Sequence, residues 1–148
     1  MVVATIKLTN STDFDLAAAG RLSPGELQVV HLEALVDTGA TTLVIPADVA
    51  ELLRLPVRGE RTVRYADGRT GTIPLVGSVL LEILGRTMTI DALVQAQGTT
   101  ALIGQIPLEA LDLLVDPQSR EVRVNPRSPD LPMLDIMALQ TRSAALTL

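Results

Sequence analysis

The chain has 148 residues, a length that fits one compact domain, and 47% of them are apolar although only 1% are aromatic. A formal net charge of −5, with no basic run, argues against binding a phosphate backbone, and one Tyr, one Phe and no Trp nearly exclude aromatic stacking on bases or sugars. With no Cys, disulfides, thiolate nucleophiles and Cys-bearing zinc sites are excluded as well.

The elements are read in chain order. Val2 to Thr9 alternates apolar and polar residues and predicts a strand. Asn10 to Gly25 is turn-rich, and its middle, Leu16 to Ala19, is too short to assign. Leu27 to Val36 predicts a second strand that carries His31, the only histidine, as an ordinary strand residue. A Ser-His-Asp triad would have to use His31, and the chain has no Gly-x-Ser-x-Gly elbow.

A turn at Asp37 follows, then a strand over Thr41 to Ile45. Pro46 to Leu55 predicts a short helix, with Pro at its start, Asp48 early in it, and Val49, Leu52 and Leu53 on one face. Thr62 to Tyr65 and Thr70 to Pro74 predict a hairpin around Ala66-Asp67-Gly68-Arg69, where Asp-Gly signals a type I′ turn. Ser78 to Leu84 and Met88 to Val94 predict another, turning through Gly85-Arg86.

Thr99 to Gly104 reads as a buried strand and Ile106 to Leu113 as a helix with Pro107 near its start. Leu113 to Asp116 and Glu121 to Val124 form a last predicted hairpin around Pro117-Gln118. The domain is expected over residues 1–125. Residues 126–148 read as a Pro-rich tail, docked or frayed, with Leu134, Met137, Ala138 and Thr141 as a possible helical stripe. The first eight residues lack a basic leader before a long apolar stretch, so no signal peptide is expected. No stretch approaches the ~18 apolar residues of a membrane helix. The expected location is cytoplasmic, with no membrane or nucleic-acid partner.

Leu35-Val36-Asp37-Thr38-Gly39-Ala40 places an acid in a tight turn between apolar, β-branched segments. A carboxylate is rarely left in such company unless it is paired, hydrogen-bonded or used. Read alone, Asp37 is better taken as an acid that merely caps its own turn, and only the flanking pattern reverses that reading. Ala101-Leu102-Ile103-Gly104 forms a faint pseudo-repeat of the same motif, an apolar strand ending at Gly. Together with the Tyr65 to Arg69 hairpin, these segments resemble the retropepsin-like (retroviral-type) aspartic proteases in order and spacing over roughly residues 27–116.

The resemblance implies an all-β fold, a small closed barrel of the acid-protease type with one or two short helices. It also implies a peptide-bond hydrolase that uses a water activated by two carboxylates, without metal or cofactor. Two carboxylates at short range share one proton, so that one takes a proton from water and the other gives one to the carbonyl, a principle for which aspartic proteases are the standard illustration. Only one Asp-Thr-Gly is present: Asp67 lies in a hairpin tip, Asp91 in a strand, Asp112 on a predicted helix and Asp116 in a Pro turn. The resemblance therefore implies a homodimer in which Asp37 meets its symmetry mate.

Thr38 would then lock the two turns across the dimer, or else cap its own turn. Gly39 would allow close backbone approach, and Ala40 and Thr41 would lie along the substrate. Tyr65, Ala66, Asp67, Gly68 and Arg69 would close over an extended peptide in apolar pockets, while Leu102, Ile103 and Gly104 would pack beneath the turn. Relatives often carry an acid at the position of Thr41 and an Arg at that of Gln105; losing both leaves no orphan charge. The competing readings are a catalytically silent barrel that binds peptide, and a plain dimerisation module.

Overall fold

The computed structural model describes residues 1–136. Nine strands and three short helices follow one another as β1 (Val3–Asn10), α1 (Ser11–Ala18), β2 (Val29–Val36), β3 (Leu43–Pro46), α2 (Ala47–Leu52), β4 (Val57–Arg64), β5 (Thr70–Ile83), β6 (Arg86–Gln95), β7 (Ala101–Ile103), α3 (Gln105–Ala110), β8 (Leu113–Asp116) and β9 (Glu121–Val124). One tight helical turn at Pro24–Glu26 precedes β2.

Six strands close a barrel in the order β1-β2-β7-β3-β6-β5, because β1 pairs with both β2 and β5. Closure removes free edges from these strands. The all-β small barrel expected from the sequence is therefore the observed fold. β4 lies outside the ring, paired only with β5. β8 and β9 form a separate two-stranded ribbon.

The barrel fills with aliphatic side chains, as a chain almost without aromatics requires. Ile6, Leu8, Leu43, Ile45, Leu81, Ile83 and Ile103 are all essentially inaccessible to water. In the first half of β1, exposed Val3 and Thr5 alternate with buried Ala4 and Ile6, the period-2 pattern of a half-buried strand. β3 is buried along its whole length, since barrel strands lie on both sides of it and α2 packs against it.

Several expectations are corrected. Asn10 to Gly25 contains α1, and Asn10 is its N-cap: the Asn10 side-chain oxygen accepts from the Asp13 amide at 3.1 Å. The same side chain donates to the Leu53 and Arg54 carbonyls at 3.0 and 3.2 Å, so a buried Asn is fully satisfied. Leu52 points to solvent, and Ala50 takes its place beside Val49 and Leu53 in the core.

The type I′ turn expected at Asp67-Gly68 is found at the other hairpin instead. Leu84 and Gly85 both have positive φ, which a type I′ turn requires, whereas at the Asp67 hairpin only Gly68 does. The tip there holds three residues. Gly68 donates to the Tyr65 carbonyl at 2.9 Å and Tyr65 to the Arg69 carbonyl at 2.8 Å, a type I turn followed by a left-handed glycine. Arg86 is consequently not a turn residue but the first residue of β6, and it is buried.

Of the proposed helical stripe in the tail, Leu134 is exposed and non-helical, while Met137, Ala138 and Thr141 lie outside the described residues. No helix among the described residues is long and apolar enough to cross a membrane.

Candidate active site

β2 delivers Asp37. It runs parallel to β7 with Leu35 beside Leu102 and Val36 beside Ile103, so the two halves of the faint pseudo-repeat lie side by side. The Asp37 amide continues this ladder, donating to the Ile103 carbonyl at 3.0 Å. The chain then turns. Ala40 N–H donates to the Asp37 carbonyl at 3.0 Å, and Gly39 N–H donates to Asp37 Oδ1 at 2.9 Å. One carboxylate oxygen is thereby fixed by its own turn. Asp37, Thr38 and Gly39 are exposed and Ala40 is half-buried.

The segment after the turn is laced to the start of α3. Gly104 N–H donates to the Thr42 carbonyl at 3.0 Å, Gln105 N–H to Ala40 at 2.9 Å and Ile106 N–H to Thr41 at 2.9 Å. A side chain at Gly104 has no room, since a Cβ there would lie 2.6 Å from both the Ala40 carbonyl oxygen and the Thr42 nitrogen. Gly104 has ordinary extended backbone angles, so the need for glycine is one of space. At Thr41 and Gln105, where relatives often carry an ion pair, the two segments are held by backbone bonds alone, Gln105 N–H to the Ala40 carbonyl and Ile106 N–H to the Thr41 carbonyl. The Gln105 side chain turns instead to Glu109, at 3.3 Å.

The hydrogen bonds inside the turn come from the Gly39 and Ala40 amides, and the exposed Thr38 side chain takes part in none of them. His31 is exposed on β2 opposite Lys7.

The β4–β5 hairpin carries Tyr65, Ala66, Asp67, Gly68 and Arg69 at its exposed tip. Arg69 is held there from two sides: Asp67 Oδ2 lies 2.6 Å from its Nε, and its guanidinium stands 5.8 Å from the centre of the Tyr65 ring. The Tyr65 ring lies over Gly71, where a Cβ would come within 3.3 Å of it. Beneath the tip is a cavity of about 300 Å³ lined by Tyr65, Ile73, Val94, Gln95, Ala96 and Thr99. A larger cavity of about 570 Å³ lies elsewhere, bounded by Thr38, Leu108, Glu109, Leu114, Met133 and Leu134 among others. Asp37 lines neither cavity among the described residues.

The fold thus brings residues 37–42 together with 103–106 by direct hydrogen bonds, with Leu102 beside Leu35 in the same strand pair. The hairpin tip is set apart, over a cavity whose far wall, Gln95 to Thr99, leads into β7. Sequence reasoning misses Ile73, Val94, Ala96 and Thr99 as cavity lining, because they carry no chemical signature.

It also misplaces Asp112, which lies just beyond α3 with φ 53° rather than on the helix. The Ser128 hydroxyl, the Asn125 amide and the Met133 N–H all donate to its carboxylate and hold its pKa down at about 2. The Asp116 carboxyl is likewise held below its usual range, chiefly by the Ser119 side chain and by the Ser119 and Gln118 amides.

An apolar parallel strand pair, an acid turn braced by a glycine that admits no side chain, and an overhanging hairpin define a retropepsin-like barrel. The model of the family described as gag-polyprotein putative aspartyl protease matches residues 24–110, more than half of the chain, from just before β2 to the end of α3. The chain belongs to that family. Comparison with curated proteins returns no match.

Proposed function

We propose that the protein is an aspartic endopeptidase that acts as a homodimer. Asp37 and Asp37 of the partner subunit form the carboxylate dyad. One observation carries this reading: Asp37 is exposed on a turn that is tied down by its own backbone hydrogen bond to Ile103 and by those from Gln105 and Ile106. Catalytic groups need that combination of fixed geometry and open access.

The mechanism follows from the pair. At 2.9 Å the Gly39 amide occupies Oδ1, which leaves the other oxygen to meet its mate and the attacking water. The pair shares one proton and titrates as a unit. The ionised member takes a proton from water, and the protonated member donates to the carbonyl oxygen of the scissile bond. The peptide lies extended between the turn and the β4–β5 hairpin, and the cavity under Tyr65 receives an apolar side chain.

The test is cleavage of a denatured protein from acidic to neutral pH by wild type and by Asp37→Asn. The wild-type dimer cuts and the Asn variant loses on the order of 10³-fold or more in rate. A wild-type dimer that cuts nothing at any pH sinks the proposal, and an equally active Asn variant sinks the site.

A further inference from the structure

The chain carries a formal charge of −5, yet the β4–β5 hairpin is locally basic. Residues 57–72 hold Arg58, Arg61, Arg64 and Arg69 against only Glu60 and Asp67. Arg69 is paired with Asp67. Arg58, Arg61 and Arg64 are all exposed on β4 and form no ion pair among the described residues. Charges on an edge strand discourage pairing with other chains, and Arg58 and Arg64 need no further explanation. Arg61 differs from Arg64 in the face it occupies.

β4 and β5 pair antiparallel with Arg61 opposite Ile73 and Val63 opposite Gly71. Directly opposed residues share a face of a sheet, and so do residues two apart along a strand. Arg61 and Val63 therefore share a face with Gly71 and Ile73, and the Tyr65 ring lies over that same Gly71. This face roofs the cavity of about 300 Å³, since Tyr65 and Ile73 both line it. Burial agrees with the register. Gly59, Val63, Gly71 and Ile73 on this face are half-buried, whereas Glu60, Thr62, Arg64 and Thr72 on the other are exposed. Over residues 59–63 and 71–75, Arg61 is the one exposed residue of the cavity face.

The Arg61 guanidinium lies back along its own strand. Its Nη1 donates to the Glu60 carbonyl at 2.9 Å and stands 3.8 Å from where a Cβ on Gly59 would be. A guanidinium with donors to spare is a fork for a carboxylate. We infer that Arg61 is a specificity-determining residue, selecting peptides with an aspartate or glutamate two residues from the apolar side chain held under Tyr65. The inference rests on the reading that an extended peptide lies beneath this hairpin. Alternate side chains of an extended chain point the same way, roughly 7 Å apart. Arg61 stands one strand over from Ile73, at a spacing of about 5 Å, and its long side chain spans the rest. An acid at that place completes an unpaired cation, whereas a lysine meets like charge.

Synthetic peptides test this. They share one leucine for the cavity and carry Glu, Gln or Lys two residues before it or two residues after it. kcat/KM is measured for wild type, Arg61→Gln, Arg61→Glu and Arg64→Gln. Wild type prefers Glu over Lys by about fivefold to tenfold at one of the two positions, the scale of an exposed ion pair gained and a like-charge pair avoided. Raising the salt to about 0.5 M shrinks that ratio. Arg61→Gln brings it to about twofold or less, and Arg61→Glu inverts it. Arg64→Gln, on the opposite face, keeps the wild-type ratio.

Equal kcat/KM for Glu, Gln and Lys at both positions overturns the inference, as does an Arg61→Glu variant that still prefers Glu. If Arg64→Gln abolishes the preference as fully as Arg61→Gln, the charge of the whole hairpin is at work rather than the placing of Arg61, and the inference fails. Should wild type cut none of the peptides, fluorescence anisotropy with the same peptides, labelled, decides separately. Tighter binding of the Glu peptide, reversed by Arg61→Glu, keeps the Arg61 subsite and removes the proteolytic reading. Equal or absent binding overturns the subsite.

Discussion

Gly104 and Ala40 approach so closely that a Cβ on the glycine would lie 2.6 Å from the Ala40 carbonyl oxygen. That oxygen also accepts the Gln105 amide at 2.9 Å, so it cannot retreat without breaking a hydrogen bond of the acid turn.

Gly104→Ala is therefore expected to destabilise the fold by about 3 kcal/mol, the upper end for overpacking, because the obstruction is backbone and not a flexible side chain. Urea denaturation measures it. A loss below about 0.5 kcal/mol would mean that the contact gives way easily. The same substitution should lower cleavage more than the unfolded fraction explains, since the displaced segment begins three residues after Asp37.

Thr38 offers a contrasting case. Its side chain takes no part in the hydrogen bonds of its own turn, so Thr38→Ala removes nothing local. The expected outcome is an unchanged thermal midpoint for the monomer and a dimer weakened on the order of tenfold. That magnitude corresponds to two symmetric hydrogen bonds of about 1 kcal/mol each, partly offset by water. Thr38→Ser keeps the hydroxyl and should restore the wild-type dissociation constant. Sedimentation equilibrium on the three proteins distinguishes this role from a local cap, which would lower monomer stability and leave dimerisation alone.

The barrel and the acid turn were legible because both depend on local pattern. Alternation in β1, the apolar approach through Leu35-Val36 and the Gly at 104 each leave a mark within a few residues. α1 left no such mark. Its Asn10-Ser11-Thr12-Asp13 start has the composition of a loop, and the helix has no fully buried residue, so no apolar stripe betrays it. The Asp67 turn departs from type I′ because Asp-Gly fits either a two-residue loop or the end of a three-residue one, and only the register decides. The Asp112 clasp was invisible for a different reason. Arg86 meets Leu111 and Ser128, 25 and 42 residues away, and Asp112 meets Ser128 at a separation of 16. No window of sequence contains both ends of such contacts.

Asp112 gives the molecule a defined acid limit. Its folded pKa, about 2, lies below the 3.8 of an ordinary aspartate, so the unfolded chain binds its proton first as pH falls. The stability that Asp112 contributes is fully present above about pH 4 and is lost as pH drops through the folded value near 2. Wild type should thus lose stability over that interval, and Asp112→Asn should lose less, having no proton to take up there. Thermal midpoints recorded at steps from pH 6 to pH 2 measure the difference. Parallel curves for the two proteins would remove Asp112 from the account.

At the hairpin tip the forces are weaker and the expected consequences are confined to binding. Arg69 touches Asp67 at 2.6 Å and stands over Tyr65, but its side chain is 79% exposed, so water and salt screen the pair. Arg69→Ala should change global stability by less than about 1 kcal/mol. Tyr65 roofs the cavity of about 300 Å³, and Tyr65→Ala opens that roof to solvent. For a peptide with a bulky aliphatic side chain near the scissile bond, Tyr65→Ala should raise KM several-fold with little change in kcat, because it removes apolar contact shared by substrate and transition state. Gly71→Val should act in the same direction from below. A Cβ there already reaches within 3.3 Å of the Tyr65 ring, so the larger side chain displaces the ring from over the cavity. Equal KM values for wild type and both variants would mean that the peptide does not pass beneath this hairpin.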